Sequence, residues 1–451
     1  MSRFNFSITE APSGKVFIVH KSPFTYGQLK DSLRNLDTLL SETSFNPLTD
    51  VLRVYTECWA SFASIYCYCL LHSITLEISS SPLPNSLIQT DHFHLSPRKK
   101  YSLELSSEPG IYISTSGSTG LPKKFLLSYI RLIGSALSIK DYMKTAFDDI
   151  HAWSMPFNYV YGLSMLNQTL ITFSTAIILD ISSQNTSNID ILNTYCPNKL
   201  YGVPSSLLPY FKYFSDSLPL SLKTIFTAGG RCSSQLAKRI MDSERSLCVM
   251  YGCTEASARL TYLYVDNLED LSNGCVGYPI DGVKILTSHD PRSPHEIKFI
   301  SDFSYIGSIV DNTFLASNTN SISTGDLGFL HNNKLYITGR SGRFAKIAGN
   351  KVPLSLLESI FLSNPAVSNA YFLSTMSNDD TDIITVFYES ITSIETVNLR
   401  SLDCYPLYNS LEESHKHFRI LLQVAKYIHY ENFPLKPNGK TDFSSLHPGH
   451  L

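Results

Sequence analysis

Ile111-Tyr112-Ile113-Ser114-Thr115-Ser116-Gly117-Ser118-Thr119-Gly120-Leu121-Pro122-Lys123 is the stretch on which the rest of the chain turns. An apolar run that reads as a strand gives way to a loop of small hydroxyl and glycine residues, closed by a proline and a lysine. Such a loop suits an anion. Gly117 and Gly120 let the backbone approach closely, so successive N–H groups, the hydroxyls and the Lys123 ammonium can all donate to phosphate oxygens. It is not a Walker A loop, which needs Gly-Lys-Ser/Thr opening a helix; here Leu121-Pro122 separate Gly120 from Lys123. The alternative reading of a Ser/Thr/Gly loop is a plain connection. A helical pattern resumes from Ser128 to Met143, so the expected local order is strand, loop, helix.

Upstream of this loop no chemistry is visible. Leucines at 29, 33, 36, 39 and 40 fall near helical spacing and predict an amphipathic surface helix over Leu29 to Leu40. The apolar stretch Cys58 to Leu71 reads as a buried helix, too short to span a bilayer. The basic run Arg98-Lys99-Lys100 reads as a solvated loop. With 451 residues, 43% of them hydrophobic, the chain can build a large domain and a smaller one. A net charge of -3 gives no electrostatic reason to propose a nucleic-acid partner. Nine cysteines without a C-x-x-C pair suggest neither a zinc site nor a disulfide scaffold, and together with the lack of a signal-peptide pattern they lead to the expectation of a cytoplasmic protein.

Downstream, Met155-Pro156-Phe157-Asn158-Tyr159-Val160-Tyr161-Gly162 is an aromatic cluster that reads either as core packing or as the wall of a substrate pocket, with Tyr159, Tyr161 and Gly162 as pocket candidates. Strand-like runs at Ala176 to Ile181, Leu200 to Val203 and Thr224 to Thr227 alternate with helical sequence, which predicts a doubly wound α/β body. Gly229-Gly230 and Tyr251-Gly252-Cys253-Thr254-Glu255 follow predicted strands, where open α/β sheets bind ligands. From about 274 to 338 short strands and frequent turns suggest a small β-rich subdomain. It contains Thr324-Gly325-Asp326, whose aspartate can accept from vicinal ribose hydroxyls, and ends near Gly339-Arg340. Residues 343–451 read as a compact α+β domain: a helix Leu354 to Leu362, strands Val367 to Leu373 and Asp382 to Tyr388 around Asn378-Asp379-Asp380, and a helix Leu411 to Lys426.

Together these blocks resemble the acyl-adenylate-forming superfamily, which includes acyl-CoA synthetases, adenylation domains of peptide synthetases and luciferases. Thr115 to Lys123, Tyr251 to Glu255, Thr324-Gly325-Asp326, Gly339-Arg340 and Asn438-Gly439-Lys440 occur in the family's order. The resemblance implies a large amino-terminal α/β domain over 1–340 and a small mobile carboxyl-terminal domain over 343–451, with a hinge near Gly342. It implies ATP-dependent conversion of a carboxylic acid to an acyl-AMP with loss of pyrophosphate, then transfer to a thiol. Thr115, Ser116, Gly117, Ser118, Thr119, Gly120 and Lys123 would hold the pyrophosphate, and Gly229, Gly230 and Tyr251 would flank adenine. Thr254 would contact the α-phosphate, Glu255 would bind Mg²⁺, Asp326 and Arg340 would hold the ribose, and Lys440 would bridge carboxylate and α-phosphate.

The sequence departs from the family at Lys124, where a glycine is usual, at Gly342, where Asp or Lys is common, and in a short amino-terminal part. The aromatic block shows no aspartate for an α-amino group, so Tyr159 and Tyr161 suggest an uncharged pocket for a medium aliphatic or aryl acid. The chain ends soon after Lys440, so the acceptor thiol is expected in trans, from coenzyme A or a phosphopantetheine carrier protein. The alternative is a non-catalytic nucleotide-binding or carrier-recruiting protein of the same fold.

Overall fold

The computed structural model describes residues 8–20, 22–84, 86–116, 122–180, 186–317, 319, 321–340, 343–347, 350–362, 367–376, 382–390, 425–436 and 441–446. Gly117, Ser118, Thr119 and Gly120 of the first loop, Gly342, Lys440, the turn Asn378-Asp379-Asp380 and residues 411–424 of the expected helix therefore lie outside the described residues.

The body is organised by six short parallel strands lying side by side, in the order Val16–His20, Thr175–Ile178, Ile150–Trp153, Lys199–Gly202, Thr224–Thr227 and Ser246–Tyr251. Their apolar runs suit burial on both faces. Successive residues point to opposite sides: Trp153, Tyr201, Phe226 and Cys248 enter one core, while Ala152, Leu200, Ile225 and Leu247 enter the other. Helices Trp59–Leu71, Tyr129–Met143 and Val160–Thr172 fill the first core, and Pro204–Tyr213 and Ser234–Asp242 the second. Strand order reverses beside Ile150–Trp153, the arrangement that opens a crevice beyond the carboxyl ends. Past Ser246–Tyr251 the sheet continues antiparallel through Thr261–Tyr264, Cys275–Pro279, Lys334–Arg340 and Ile322–His331. The stretch expected as a β-rich subdomain thus shares the main sheet, and its strands Gly307–Val310 and Thr313–Ala316 join the second sheet instead.

That second sheet corrects the reading of the first loop. The loop closes an antiparallel hairpin between Gly110–Ser116 and Pro122–Ser128, with Thr115 opposite Lys123, and only then does Ser128 cap the helix Tyr129–Met143. The order is strand, loop, strand, helix. The basic run is also not a solvated loop: Arg98 and Lys99 end the strand His94–Lys99. Arg98 pairs with buried Glu77 at 2.9 Å and with buried Glu104 at 3.1 Å, and Lys99 pairs with buried Asp50 at 2.6 Å. Lys124, the departure from the family pattern, sits 2.5 Å from the other oxygen of Glu77. Strand alternation sends the neighbouring Lys123 to the opposite face. Glu77→Gln leaves two cations without their shared acid. It is expected to cost about 3 kcal/mol, the low end for breaking a buried pair because Lys124 stays partly in water. Chemical denaturation at neutral pH checks this, and an unchanged midpoint would contradict it.

After Arg340 the described residues build a separate sheet, Val367–Met376, Asp382–Ser390 and Lys426–Tyr430, covered by the helix Leu354–Phe361 around Phe361, Phe372 and Val386. Lys426, expected to end a helix, opens a strand parallel to Asp382–Ser390. Arg343 reaches Glu358 at 2.7 Å and stacks over Tyr371, tying the start of this unit to its helix and sheet.

Candidate active site

Tyr251 ends the last parallel strand, and the chain then turns through Gly252-Cys253 into the single helical turn Thr254–Ala256. Gly252 is required by close approach: an added Cβ would overlap the Ala258 carbonyl and come 2.7 Å from the Arg259 Cα. Both obstacles are backbone, so the turn itself must shift. Gly252→Ala is expected to lower stability by about 1–3 kcal/mol and to displace Thr254 and Glu255. A variant with wild-type melting temperature and wild-type ATP use would show that the turn yields freely. The turn packs beside the strand Pro122–Ser128. Glu255 is held through its carbonyl by the Tyr305 N–H at 2.9 Å.

Tyr251 and Asp326 are 75 residues apart in sequence, yet the Tyr251 hydroxyl donates to Asp326 Oδ2 at 2.7 Å. Arg340 Nε lies 3.1 Å from Asp326 Oδ1, because the strands Ile322–His331 and Lys334–Arg340 place the two residues opposite one another. Gly325, at φ 73°, and the Thr324 hydroxyl, which accepts from the Asp326 N–H at 3.1 Å, turn the carboxylate toward Tyr251. Burial pushes the Asp326 carboxyl above its ordinary range, against the opposing pull of Arg340 and Tyr251. Burial likewise pushes the Tyr251 phenol well up, so it stays protonated and remains a donor. Arg340 is largely exposed and Asp326 partly so, which leaves carboxylate oxygens within reach of a ligand.

Glu255 has no cation partner among the described residues, and no group of three or more His, Cys, Asp or Glu there could hold a metal. A lone carboxylate suits Mg²⁺, which keeps waters and substrate phosphates as its other ligands. Gly229, at φ 79°, follows the strand Thr224–Thr227, and a Cβ on Gly230 would touch Pro204 at 3.4 Å. Both therefore lie at the carboxyl edge beside Tyr251's strand.

The aromatic block divides. Tyr159 is half-buried at the residue just before the helix Val160–Thr172, with no capping hydrogen bond from its side chain, and Gly162 lies against the carbonyls of Met155 and Pro156, which leave no room for a side chain. Tyr161 is buried, with its hydroxyl donating to the Phe226 carbonyl at 3.3 Å. Its surroundings are not uncharged: the Arg259 guanidinium stands 4.1 Å from its ring centroid. Sequence reasoning passed over Arg259. The available signal was a lone arginine in the otherwise uncharged run from Ala256 to Tyr264.

The family described as AMP-binding enzyme matches residues 74–295. The chain is 25% identical over 304 residues to a 2-succinylbenzoate–CoA ligase of Bacillus mycoides, covering 65% of this chain and 60% of that protein. It is 24% identical over 353 residues to an L-proline–[L-prolyl-carrier protein] ligase of Streptomyces coelicolor, covering 74% of this chain and 64% of that one. It thus spans about three fifths of the length of these curated relatives. The o-succinylbenzoate CoA synthetase of Bacillus subtilis, solved with an acyl-adenylate intermediate, superposes with a TM-score of 0.74 at 16% identity over 98% of each chain. At that identity the likeness establishes a shared fold. Among the described residues, no helix is long and apolar enough to cross a membrane.

Proposed function

We propose that this chain is a member of the acyl-adenylate-forming superfamily of AMP-binding enzymes, that it uses ATP to activate a carboxylic acid as its acyl-AMP, and that it then passes the acyl group to a thiol. The observation that carries the reading is the Tyr251, Asp326 and Arg340 constellation, a phenol, a carboxylate and a guanidinium gathered at the carboxyl edge of a doubly wound sheet. Asp326 exchanges its protein donors for ribose hydroxyls, Arg340 supports the same ring, and Tyr251 with Gly229 and Gly230 borders adenine. Thr115, Ser116, the loop glycines and hydroxyls and Lys123 receive the β- and γ-phosphates, and Thr254 donates to the α-phosphate. Glu255 would hold Mg²⁺, which would offset triphosphate charge.

An oxygen of the acid attacks the α-phosphorus while the bond to pyrophosphate breaks. The two anions repel each other, so a cation aimed at the developing charge lowers the barrier. Lys440 supplies it from the carboxyl-terminal unit. Residues 1–340 and 343–451 act as two domains about Gly342, and the second reorients to admit the thiol of coenzyme A or of a separate carrier protein. The reaction is placed in the cytoplasm, where both acceptors are found.

ATP–pyrophosphate exchange across aliphatic acids, aryl acids, amino acids and 2-succinylbenzoate, followed by addition of coenzyme A, tests the reading. Exchange that depends on one class of acid and on Mg²⁺ is the expected result. Tight ATP binding without exchange for any acid would favour a nucleotide-binding protein without turnover.

A further inference from the structure

Arg259 is 2% exposed, and none of the ion pairs among the described residues includes it. Its Nε faces the Met250 sulfur at 3.3 Å, its Nη1 donates to the Ala258 carbonyl at 3.1 Å, and its Nη2 has no hydrogen-bond partner. Below it lies the Tyr161 ring. A guanidinium keeps its charge under all ordinary conditions, and a thioether is a weak acceptor. One carbonyl, one ring face and the neighbouring Tyr142 phenol, all neutral, do not replace the water such a cation gives up. The fold nevertheless holds it inward: Ser257 and Ala258 precede it at φ 50° and 98°, left-handed backbone at two residues that are not glycine.

Its position relates this unmet charge to the site. Arg259 leaves the same connection that carries Thr254 and Glu255, its Cα lies against Gly252, and the next residue, Leu260, donates to the Tyr251 carbonyl at 2.8 Å. The side chain runs from there toward Tyr161 at the start of the helix Val160–Thr172.

We propose that Arg259 receives a second carboxylate of the acid substrate, so that the chain activates a dicarboxylic acid held with one carboxylate at the α-phosphate and the other on this guanidinium. The inference rests on the acid-activating reading above. A carboxylate matches the planar donor edge of arginine and satisfies the free Nη2. A site built around such a pair rejects the analogue that lacks it, because binding the analogue leaves the arginine buried and unpaired.

The test compares straight-chain and benzene dicarboxylic acids, each beside its half-amide, by thermal melting and by pyrophosphate exchange, in wild type, Arg259→Met and Arg259→Lys. Ligand-free Arg259→Met should melt at or above wild type, since an uncompensated charge has been replaced by an apolar chain. A dicarboxylic acid should raise the melting temperature of wild type but not of Arg259→Met. The wild-type preference for diacid over half-amide in kcat/KM should fall at least about 100-fold in Arg259→Met, and Arg259→Lys should keep part of it. A purely structural arginine predicts the reverse: a clear loss of ligand-free stability, with any diacid preference retained. Melting separates this inference from the activity on which it rests. A diacid shift that needs Arg259 in a protein without exchange upholds the site and defeats the activity. Exchange supported equally by diacid and half-amide upholds the activity and defeats the site.

Discussion

Lys440→Ala is expected to slow ATP–pyrophosphate exchange by about 10²-fold or more, while thioester formation from supplied acyl-adenylate survives far better. The expectation rests on chemistry and on the motif Asn438-Gly439-Lys440. In the first half-reaction a carboxylate approaches a triphosphate, and negative charge concentrates around the α-phosphorus as the new bond forms. An ammonium placed there meets charge that exists only during that step. In the second half-reaction a thiol attacks the uncharged acyl carbonyl of a mixed anhydride whose phosphate carries a single negative charge, and no triphosphate has to be offset. A lysine serving only the first step therefore shows in one assay and not in the other. Equal loss in both would point to a folding defect or another role, and no loss in either would make Lys440 an ordinary surface residue.

Asp326→Asn should raise the KM for ATP by about 10²-fold, the size of one or two charged hydrogen bonds at roughly 1.5–3 kcal/mol each. The variant should also lose the preference for ATP over a 2′,3′-dideoxy analogue, which separates loss of ribose contacts from general damage. The pH dependence follows from the same geometry. Ribose binding needs the ionised carboxylate, and burial raises its pKa despite Arg340. ATP use in wild type should therefore fall as pH drops through a value above the ordinary aspartate range. The sign for stability is opposite. A folded-state pKa above the unfolded one means that the folded protein binds this proton more tightly, so lowering pH toward the ordinary aspartate pKa favours folding at this residue. Activity lost over a window in which the melting temperature holds is the expected signature, and it should be absent in Asp326→Asn. A wild-type KM and an unaltered acid limb in the variant would remove Asp326 from the ribose site.

The parallel strands at Thr175–Ile178, Lys199–Gly202, Thr224–Thr227 and Ser246–Tyr251 were legible because each falls in a short, mostly apolar run bounded by helical sequence, whereas Ile150–Trp153, interrupted by His151, and Val16–His20 were not read as strands. Pro122–Ser128 was not, because Pro122-Lys123-Lys124 has loop composition and its strand character comes from pairing with Gly110–Ser116 and Gly307–Val310. Arg98 looked solvated for a related reason. A charge run shows no partners, and Glu77 and Glu104 reach it only through the fold. The meeting of Tyr251, Asp326 and Arg340 could be anticipated only through the family's motif order, since nothing local joins residues 75 positions apart. Arg259 escaped both routes: it lies just past a motif, and its neighbours Tyr142 and Tyr161 come from helices far upstream.

Isotope transfer tests the central claim most directly. Once exchange has identified the acid, that acid is supplied with both carboxylate oxygens as ¹⁸O, together with ATP, Mg²⁺ and coenzyme A, and the nucleotide product is weighed. Attack of the carboxylate on the α-phosphorus, followed by thiol displacement at the acyl carbon, leaves one carboxylate oxygen on phosphorus. AMP carrying a single ¹⁸O, with unlabelled pyrophosphate, is the predicted result. Unlabelled AMP, or ¹⁸O recovered in inorganic phosphate beside ADP, would contradict an acyl-adenylate mechanism for this chain.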